Sequence, residues 1–154
     1  MAAFSFKGGP VMTLDAKGRL AVPARYRDEL MASMNGQMVV CKSKARCLSL
    51  YPKLVWDDLE ATLYDLPMED EDWVRVFIGS ATEVEIDSAS RVLVPPELRA
   101  WAGLERDVIF MGMRDKFELW DKVAYEGVEA VTRATKLPEP LAQRKPMRLK
   151  ADGE

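Results

Sequence analysis

Two arginines, Arg19 and Arg91, are the side chains best suited by type and spacing to do chemistry. Each follows an aspartate by four residues, Asp15 in the first case and Asp87 in the second. An arginine just beyond a tight turn is displayed at a loop edge, where its planar fork can bond O6 and N7 of guanine in the DNA major groove. The alternative is an ion pair in which the aspartate fixes the turn. The pattern therefore indicates a base-reading residue, a structural salt bridge, or both at once.

Other basic residues near these turns divide into two groups. Lys17, and with it Lys7, is predicted to contact phosphate, a type of contact that carries affinity rather than sequence information. The arginines of the following segments, Arg25, Arg27 and Arg99, are more typical of interface pairing or of stems that cover apolar surface. The basic stretch Lys42-Ser-Lys44-Ala-Arg46 is interpreted as a solvated hairpin tip, with phosphate contact as the alternative.

The two turns belong to a longer internal repeat. At a constant offset of 72 residues, five identities coincide: Asp15 with Asp87, Arg19 with Arg91, Val22 with Val94, Pro23 with Pro95, and Arg27 with Arg99. Farther on, the offset falls to 69, where Leu48-Ser-Leu-Tyr51 aligns with Phe117-Glu-Leu-Trp120. A repeat of this kind indicates one structural unit used twice.

The residue inventory argues against an enzyme. The 154 residues include no histidine, which removes His general bases, Ser–His and Cys–His nucleophile pairs and His metal ligands. Cys41 and Cys47 have five residues between them, which is not a zinc-pair spacing, and reduced buried thiols are favoured over a disulfide. Neither a phosphate-binding loop nor a dinucleotide fingerprint occurs in the sequence. We expect no cofactor, no metal and no small-molecule substrate.

Charge is unevenly distributed behind a net charge of −3. Residues 1–56 contain nine Lys/Arg against three Asp/Glu, whereas residues 57–86 contain one against ten. A polyanion would be attracted to the first segment and repelled by the second. The sequence has neither a secretory signal nor an apolar run near the ~20 residues of a membrane helix, so we expect a cytoplasmic protein without a membrane partner.

The pattern of strands, turns and helix signals predicts an α+β fold, mainly β. The predicted divisions are a first module at 6–52, linking helices at 53–79, a second module at 80–122, a C-terminal helix at 123–136 and a flexible tail at 137–154. In each module, a strand, a turn and a second strand precede a proline that opens a short helix, and two further strands follow.

This unit resembles the AbrB/SpoVT type of DNA-binding module, and two copies in one chain are similar to the MraZ family of bacterial transcriptional regulators. The matching residues of the first half are Phe6-Lys7-Gly8, Leu14-Asp15-Ala-Lys17-Gly18-Arg19-Leu20, Val22-Pro23-x-Arg25-Tyr26-Arg27 and Leu50-Tyr51-Pro52. Those of the second half are Gly79-Ser-Ala, Asp87-x-x-x-Arg91, Val94-Pro95-x-x-Leu98-Arg99 and Lys116-Phe117-Glu-Leu-Trp120. The match covers roughly residues 6–126.

The resemblance implies two swapped-hairpin modules interleaved as a pseudo-dimeric small β-barrel. It also implies a ring-shaped homo-oligomer that binds repeated G-rich sites on double-stranded DNA, upstream of the division and cell-wall gene cluster that includes its own gene. On this basis the protein would act mainly as a repressor and associate with the nucleoid. The implied DNA-contacting set is Arg19, Lys17, Asp15, Lys7, Arg91 and Asp87.

The second turn departs from the first. It lacks a glycine at the position of Gly18 and a lysine at the position of Lys17. The first turn is therefore predicted to be the better DNA reader, and the second to be mainly architectural. A rival hypothesis is a protein-interaction or assembly module that has kept the fold without binding DNA, which the acidic isoelectric point of about 5.2 favours. Steep salt dependence of binding would distinguish a DNA binder from this alternative.

Overall fold

The computed structural model describes residues 4–149, with strands and helices alternating in two similar halves. The strands are β1 (Val11–Thr13), β2 (Arg19–Ala21), β3 (Gln37–Lys42), β4 (Leu48–Pro52), β5 (Thr82–Glu85), β6 (Arg91–Leu93), β7 (Asp107–Met113) and β8 (Lys116–Asp121). The helices are α1 (Ala24–Met34), α2 (Lys53–Tyr64), α3 (Glu71–Ser80), α4 (Pro96–Ala102), α5 (Lys122–Arg133) and α6 (Glu139–Ala142). A 3-10 turn at Met68–Asp70 precedes α3. No helix within residues 4–149 is long and apolar enough to cross a bilayer.

The two halves are interleaved by their strand pairing. Strand β1 of the first half pairs with β7 of the second, and β5 of the second pairs with β3 of the first, all antiparallel. Equivalent strands also pair with each other, β4 with β8 and β2 with β6. The result is a six-stranded sheet in the order β1-β7-β8-β4-β3-β5 and a separate two-stranded sheet, β2-β6.

This arrangement confirms the predicted class, α+β and mainly β, with two tandem modules exchanging hairpins. The six-stranded sheet is open, and β1 and β5 form its edges. Each edge strand continues into a turn that leads to β2 or β6, so the two-stranded sheet bridges the two edges.

The main core lies on the inner face of the six-stranded sheet and beneath the two-stranded one. Alternation along the strands sends one set of side chains inward, because successive residues of a strand point to opposite faces. The inward set includes Leu48, Phe110, Phe117 and Leu119, all fully buried. From the two-stranded sheet, Leu20 and Val92 join the same cluster, together with side chains of α1 and α4. Both modules therefore share one core, in which neither half is complete alone.

Helices cover the outer face of the six-stranded sheet in two separate places. Over β3 and β4, helices α2 and α3 bury Val39, Cys41 and Tyr51 beneath Trp56 and Leu63. Over β7 and β8, helix α5 covers a smaller cluster of Ile109, Trp120 and Cys47, and its Tyr125 ring lies 5.2 Å from the Trp120 ring. The helix that follows each module's last strand thus packs on that module's half of the outer face.

Most predicted elements occur, with several differences of extent. The first strand extends only over Val11–Thr13, although Phe6 still bridges Arg114 in the same register. Pairing from Phe6 to Thr13 keeps that register, so the chain accommodates a positive φ of 91° at Gly8 without an inserted residue. The predicted flexible tail contains the short helix α6, and its last residues, 150–154, lie outside the described residues.

The two cysteines are free and buried. The β3–β4 register places Cys41 opposite Ser49 and Lys42 opposite Leu48, so Cys41 and Cys47 are diagonal neighbours rather than partners across the hairpin. Diagonal positions are about 7–8 Å apart, too far for a disulfide without backbone movement. Burial raises the pKa of each thiol to about 12. Both cysteines are therefore neutral apolar packing groups at physiological pH.

Candidate nucleic-acid interface

The carboxylate of Asp15 organises the first turn. Its Oδ1 accepts hydrogen bonds from the backbone N–H of Lys17 at 3.0 Å and of Arg19 at 2.8 Å. Its Oδ2 accepts the side-chain Nε–H of Arg19 at 2.7 Å. Gly18 closes the turn with a φ of 85°, in the left-handed region that favours glycine, and donates its N–H to the Asp15 carbonyl. One aspartate thus fixes both the backbone and the direction of its arginine.

The second turn repeats this geometry with different residues. Asp87 accepts from the backbone N–H of Ala89 and Arg91, both at 2.9 Å, and from Arg91 Nε at 3.2 Å. Ser90 takes the left-handed position with a φ of 64°. Each aspartate therefore pairs with the arginine of its own turn, which confirms the structural ion pair as one role of the motif. The ion pair is compatible with a base-reading role for each arginine, because only Nε of each guanidinium is engaged.

Hydrogen bonding keeps both aspartates charged. The backbone N–H of Arg19 lowers the pKa of Asp15 below its ordinary value, and the side chain of Arg19 and the N–H of Lys17 act in the same direction. The backbone N–H of Arg91 lowers the pKa of Asp87, assisted by the N–H of Ala89. Desolvation by burial raises the pKa of both aspartates, but by less than the hydrogen bonds lower it, so each pKa remains below its ordinary value. Both carboxylates are therefore ionised throughout the physiological range.

Strands β2 and β6 form a short two-stranded ribbon, called the ribbon below, that displays the two arginines together. Its register pairs Arg19 with Leu93, Leu20 with Val92 and Ala21 with Arg91. Leu20 and Val92 face the core and are buried, so alternation places the other four residues on the outer face. Arg19 and Arg91 are diagonal neighbours on that face, about 7–8 Å apart.

The side chains of both arginines are partly accessible to solvent. About a third of each side chain is accessible, 32% for Arg19 and 33% for Arg91. Within residues 4–149 the Nη atoms of both guanidinium groups make no hydrogen bond to protein. Each arginine is therefore held by Nε, and its two terminal nitrogens remain available to donate two hydrogen bonds to one base edge.

The two turns are braced by bonds from the opposite module. The N–H of Val94 donates to the carbonyl of Gly18, and the N–H of Val22 donates to the carbonyl of Ser90, at 2.8 and 2.9 Å. The guanidinium of Arg99 lies directly against Gly18, where an added Cβ would come within 2.5 Å of it. Arg99 Nε also donates to the Val94 carbonyl at 3.0 Å. This supports the structural interpretation of Arg99.

The remaining basic candidates separate by position. Lys17 is exposed at the tip of the first turn, beside Arg19. Lys7 is exposed at the other end of the segment that pairs with β7, because Phe6 bridges Arg114 whereas Thr13 pairs with Asp107. Seven residues of extended backbone separate these ends, roughly 20 Å. Lys17 therefore lies at the turn beside the ribbon, whereas Lys7 lies at the far end of the β1 segment, where its carbonyl accepts a hydrogen bond from the Tyr26 hydroxyl of α1.

Sequence reasoning missed two features of this site. One is Leu93, which is 54% exposed on the outer face of the ribbon between the two arginines. The sequence pattern could have indicated this, because residues alternate between the two faces of a strand. If Val92 is buried, its neighbours Arg91 and Leu93 lie on the exposed face. The other is the stacking of Lys42 and Arg46 on Trp101, with charges 5.2 and 4.8 Å from the ring centroid. The hairpin tip thus contacts α4 through these two side chains, while Lys44, Ala45 and Arg46 remain exposed to solvent as predicted.

Comparison with known proteins supports this architecture. The family described as "MraZ protein, putative antitoxin-like" matches the chain twice, over residues 6–74 and 77–145. A transcriptional regulator MraZ of Methylibium petroleiphilum is 47% identical over 141 residues, covering 92% of this chain and 97% of its own length. The transcriptional regulator MraZ of Acidovorax sp. (strain JS42) is 45% identical, covering 87% of this chain and 94% of its own length. That of Burkholderia cenocepacia is also 45% identical, covering 88% of this chain and 96% of its own length.

The fold and the displayed ribbon define a two-module chain of the AbrB type. The chain belongs to the MraZ family, as the sequence motifs indicated. Its relatives carry the name of a transcriptional regulator and not of an enzyme, which confirms the expectation that this is a non-catalytic regulatory protein.

Proposed function

We propose that the chain is a sequence-specific, double-stranded DNA-binding transcriptional regulator that reads guanine with Arg19 and Arg91. The observation that carries the proposal is the ribbon. A two-stranded ribbon is one of the elements that fit the major groove, and arginine bidentate to guanine is the commonest specific contact made there. Both arginine forks lie on one face, spaced about two base-pair steps apart along a duplex.

The two turns divide the work between readout and positioning. Asp15 and Asp87 hold their arginines by Nε, so little side-chain freedom is lost when a base is bound. Lys17 supplies a phosphate contact beside the first turn, and Ala89 at the matching position of the second turn does not. Lys7 is a phosphate contact outside the ribbon, reached only by DNA that extends along the β1–β7 edge.

A ring of identical chains completes the proposed mechanism. One ribbon makes few base contacts, so a single chain would bind weakly. A homo-oligomeric ring presents many ribbons, and binding of the first raises the effective concentration of the others at successive G-rich repeats. We propose that such repeats lie upstream of the division and cell-wall genes, including the protein's own gene. Occupancy there would repress transcription and place the protein on the nucleoid.

Fluorescence anisotropy with the DNA upstream of the protein's own gene tests this proposal. The native duplex should bind more tightly than a scrambled duplex of equal composition, and affinity should fall steeply as salt rises. Arg19→Ala should remove most of the preference for the native duplex. Arg75→Ala is the matched control, because Arg75 is an exposed arginine on α3 that pairs with Asp72. Equal, weak binding to both duplexes would overturn the proposal and favour a protein-interaction module on the same fold.

A further inference from the structure

The C-terminal segment carries apolar side chains that nothing in a single chain covers. Every residue from Glu126 to Leu149 is exposed. Among the exposed side chains are large apolar groups, including Val131 at 70% and Leu149 at 88%. The others are Val128, Leu137, Leu141 and Met147. An isolated short helix with an exposed apolar face is only marginally stable in water. This segment therefore has the composition of a binding element rather than of a solvated tail.

The same segment is basic. Residues 133–149, called the basic tail below, contain five Lys/Arg and a single acid, Glu139. The cations are Arg133, Lys136, Arg144, Lys145 and Arg148. Within residues 4–149 none of these five is in a salt bridge with another residue of its own chain. The apolar groups and the unpaired positive charges alternate along one short stretch.

A surface of opposite charge lies on helices α2 and α3. Residues 57–72 contain eight Asp/Glu and no Lys/Arg. In the described part of the chain only Asp57 and Asp72 of these eight are paired, with Lys53 and Arg75. Exposed apolar side chains are interspersed among the acids: Leu54, Tyr64, Met68 and Trp73. The surface formed by these residues, called the acidic helices below, therefore offers both charge and apolar contacts.

The basic tail and the acidic helices arise on different halves of the outer sheet face. Helix α5, which leads into the basic tail, packs over β7 and β8, whereas α2 and α3 pack over β4 and β3. The contact between the two surfaces is not made within one chain, since the tail is exposed throughout. A contact of one surface with a different surface on the next copy is heterologous, and it closes into a ring when the rotation permits.

We propose that the basic tail of one copy docks on the acidic helices of the next copy, and that this contact is what links the chains into a ring. The inference deepens the proposed function, because it names the contact by which the proposed ring is built. Charge complementarity selects the partner surface and its direction. Burial of the three leucines and the one methionine of the basic tail against Tyr64, Met68 and Trp73 supplies most of the affinity. A self-contact of this kind also keeps the acidic helices from repelling DNA.

Oligomeric mass measured by light scattering on full-length protein tests the proposal. In one variant, Arg144→Glu and Lys145→Glu reverse two charges of the basic tail. In a second variant, Glu69→Lys and Glu71→Lys reverse two charges of the acidic helices. Each variant should reduce the oligomer to single chains at a concentration where the wild type is assembled. Combining the four substitutions should restore assembly, because the charges are again complementary. Glu29→Lys with Glu105→Lys is the control, since it makes the same charge change elsewhere.

The outcomes separate the two proposals. A monomeric wild type would overturn the ring itself and this contact with it. An assembled wild type whose mass is unchanged in both charge-reversal variants would overturn only the docking contact. Loss of DNA affinity by the tail variant, with its mass unchanged, would show that the tail contacts DNA instead and would equally overturn the contact. Loss of mass in each variant, with recovery in the combination, supports it.

Discussion

The two Asp-x-x-x-Arg turns have the same hydrogen bonds at the aspartate, but they differ in the residue at the left-handed position and in the environment of the equivalent arginines Arg99 and Arg27. In both, one carboxylate binds two backbone N–H groups and the Nε of its arginine. Behind the first turn, Gly18 is buried under the guanidinium of Arg99. The second turn has Ser90, with a Cβ, at the position of Gly18, and Arg27, the repeat equivalent of Arg99, has a buried Nε without a partner within residues 4–149. The aspartate is therefore sufficient to form the turn, whereas Gly18 leaves the space in which the Arg99 guanidinium packs on the first turn.

The largest expected effect is the difference in DNA affinity lost when Arg19 or Arg91 is replaced. Arg19→Ala should weaken specific DNA binding by roughly 10- to 100-fold, the value of one bidentate base contact. Arg91→Ala should cost less, about 3- to 10-fold, because the second turn has no neighbouring lysine to hold the phosphate beside it. Anisotropy titrations of both variants against the native duplex measure the difference. Equal losses would mean that the ribbon reads DNA as a symmetric unit and that the turns do not differ in function.

The next effect concerns the residue at the left-handed position of each turn. Gly18→Ala should destabilise the fold by about 2 kcal/mol, because a Cβ is strained at positive φ and meets the Arg99 guanidinium. Ser90→Gly should change the free energy of unfolding by less than ~1 kcal/mol, since relieved strain offsets added chain entropy. Urea denaturation measures both. Adding Arg99→Ala to Gly18→Ala removes the clash alone, so a double variant no less stable than Arg99→Ala would show that the backbone strain is negligible.

A smaller difference is expected between the bracing arginines. Arg99→Met should destabilise the fold by about 1–2 kcal/mol, because the Val94 carbonyl loses its hydrogen bond from Nε. Arg27→Met should be close to neutral, since its Nε makes no bond to lose and its Nη1–Asp28 contact is long at 3.4 Å and exposed. Thermal unfolding of the two variants side by side is the measurement. A larger loss for Arg27→Met would place the stronger brace in the second turn.

Removing the lysine of the first turn, or adding one to the second, should change the salt dependence of DNA affinity by a small amount. Lys17→Ala should reduce the slope of log affinity against log salt by about one per bound module. The reciprocal change, Ala89→Lys, places a lysine at the matching position of the second turn and should steepen the slope by about one. Titrations at four salt concentrations measure both slopes. An unchanged slope in Ala89→Lys would mean that the second turn does not approach phosphate.

The smallest effect is the expected absence of a pH response near neutrality. Both aspartates have folded pKa values below the ordinary 3.8, so their contribution to stability is complete above that value and is lost only as pH falls through the lowered pKa. Amide chemical shifts of Arg19 and Arg91 should therefore not change between pH 7 and pH 5. Movement of one amide and not the other in that range would show that one carboxylate is less firmly held.

Local features of both modules could be predicted from sequence, because their causes lie within a few residues. Asp15 and Gly18 predicted the first turn, and Pro95 predicted the start of α4, whose helical residues are Pro96–Ala102. The fold class followed from the repeat and the resemblance together. Each of these rests on short-range backbone preference or on a pattern repeated within the chain.

Features set by distant residues could not be predicted in the same way. Nothing local in Thr13 specifies Asp107 as its partner, and nothing in Gly18 identifies Arg99 as the group that fills its missing side chain. The position of Lys7 relative to Arg19 could not be predicted for the same reason, since it depends on the register of β1 with β7. Long-range pairing is fixed by the assembled core and not by any window of sequence.

The exchange of edge strands has a consequence for the order in which the protein is made. Strand β1 leaves the ribosome early, yet its partner residue for Thr13 is Asp107, 94 positions downstream. At 5–20 residues per second, β1 waits roughly 5–20 s before β7 exists. During that interval the first half presents an unpaired strand and part of an apolar core that only the second half can complete. During synthesis, β1 can therefore pair with a wrong strand or with another chain. This risk ends only when the second half of the chain has left the ribosome and β7 can pair with β1.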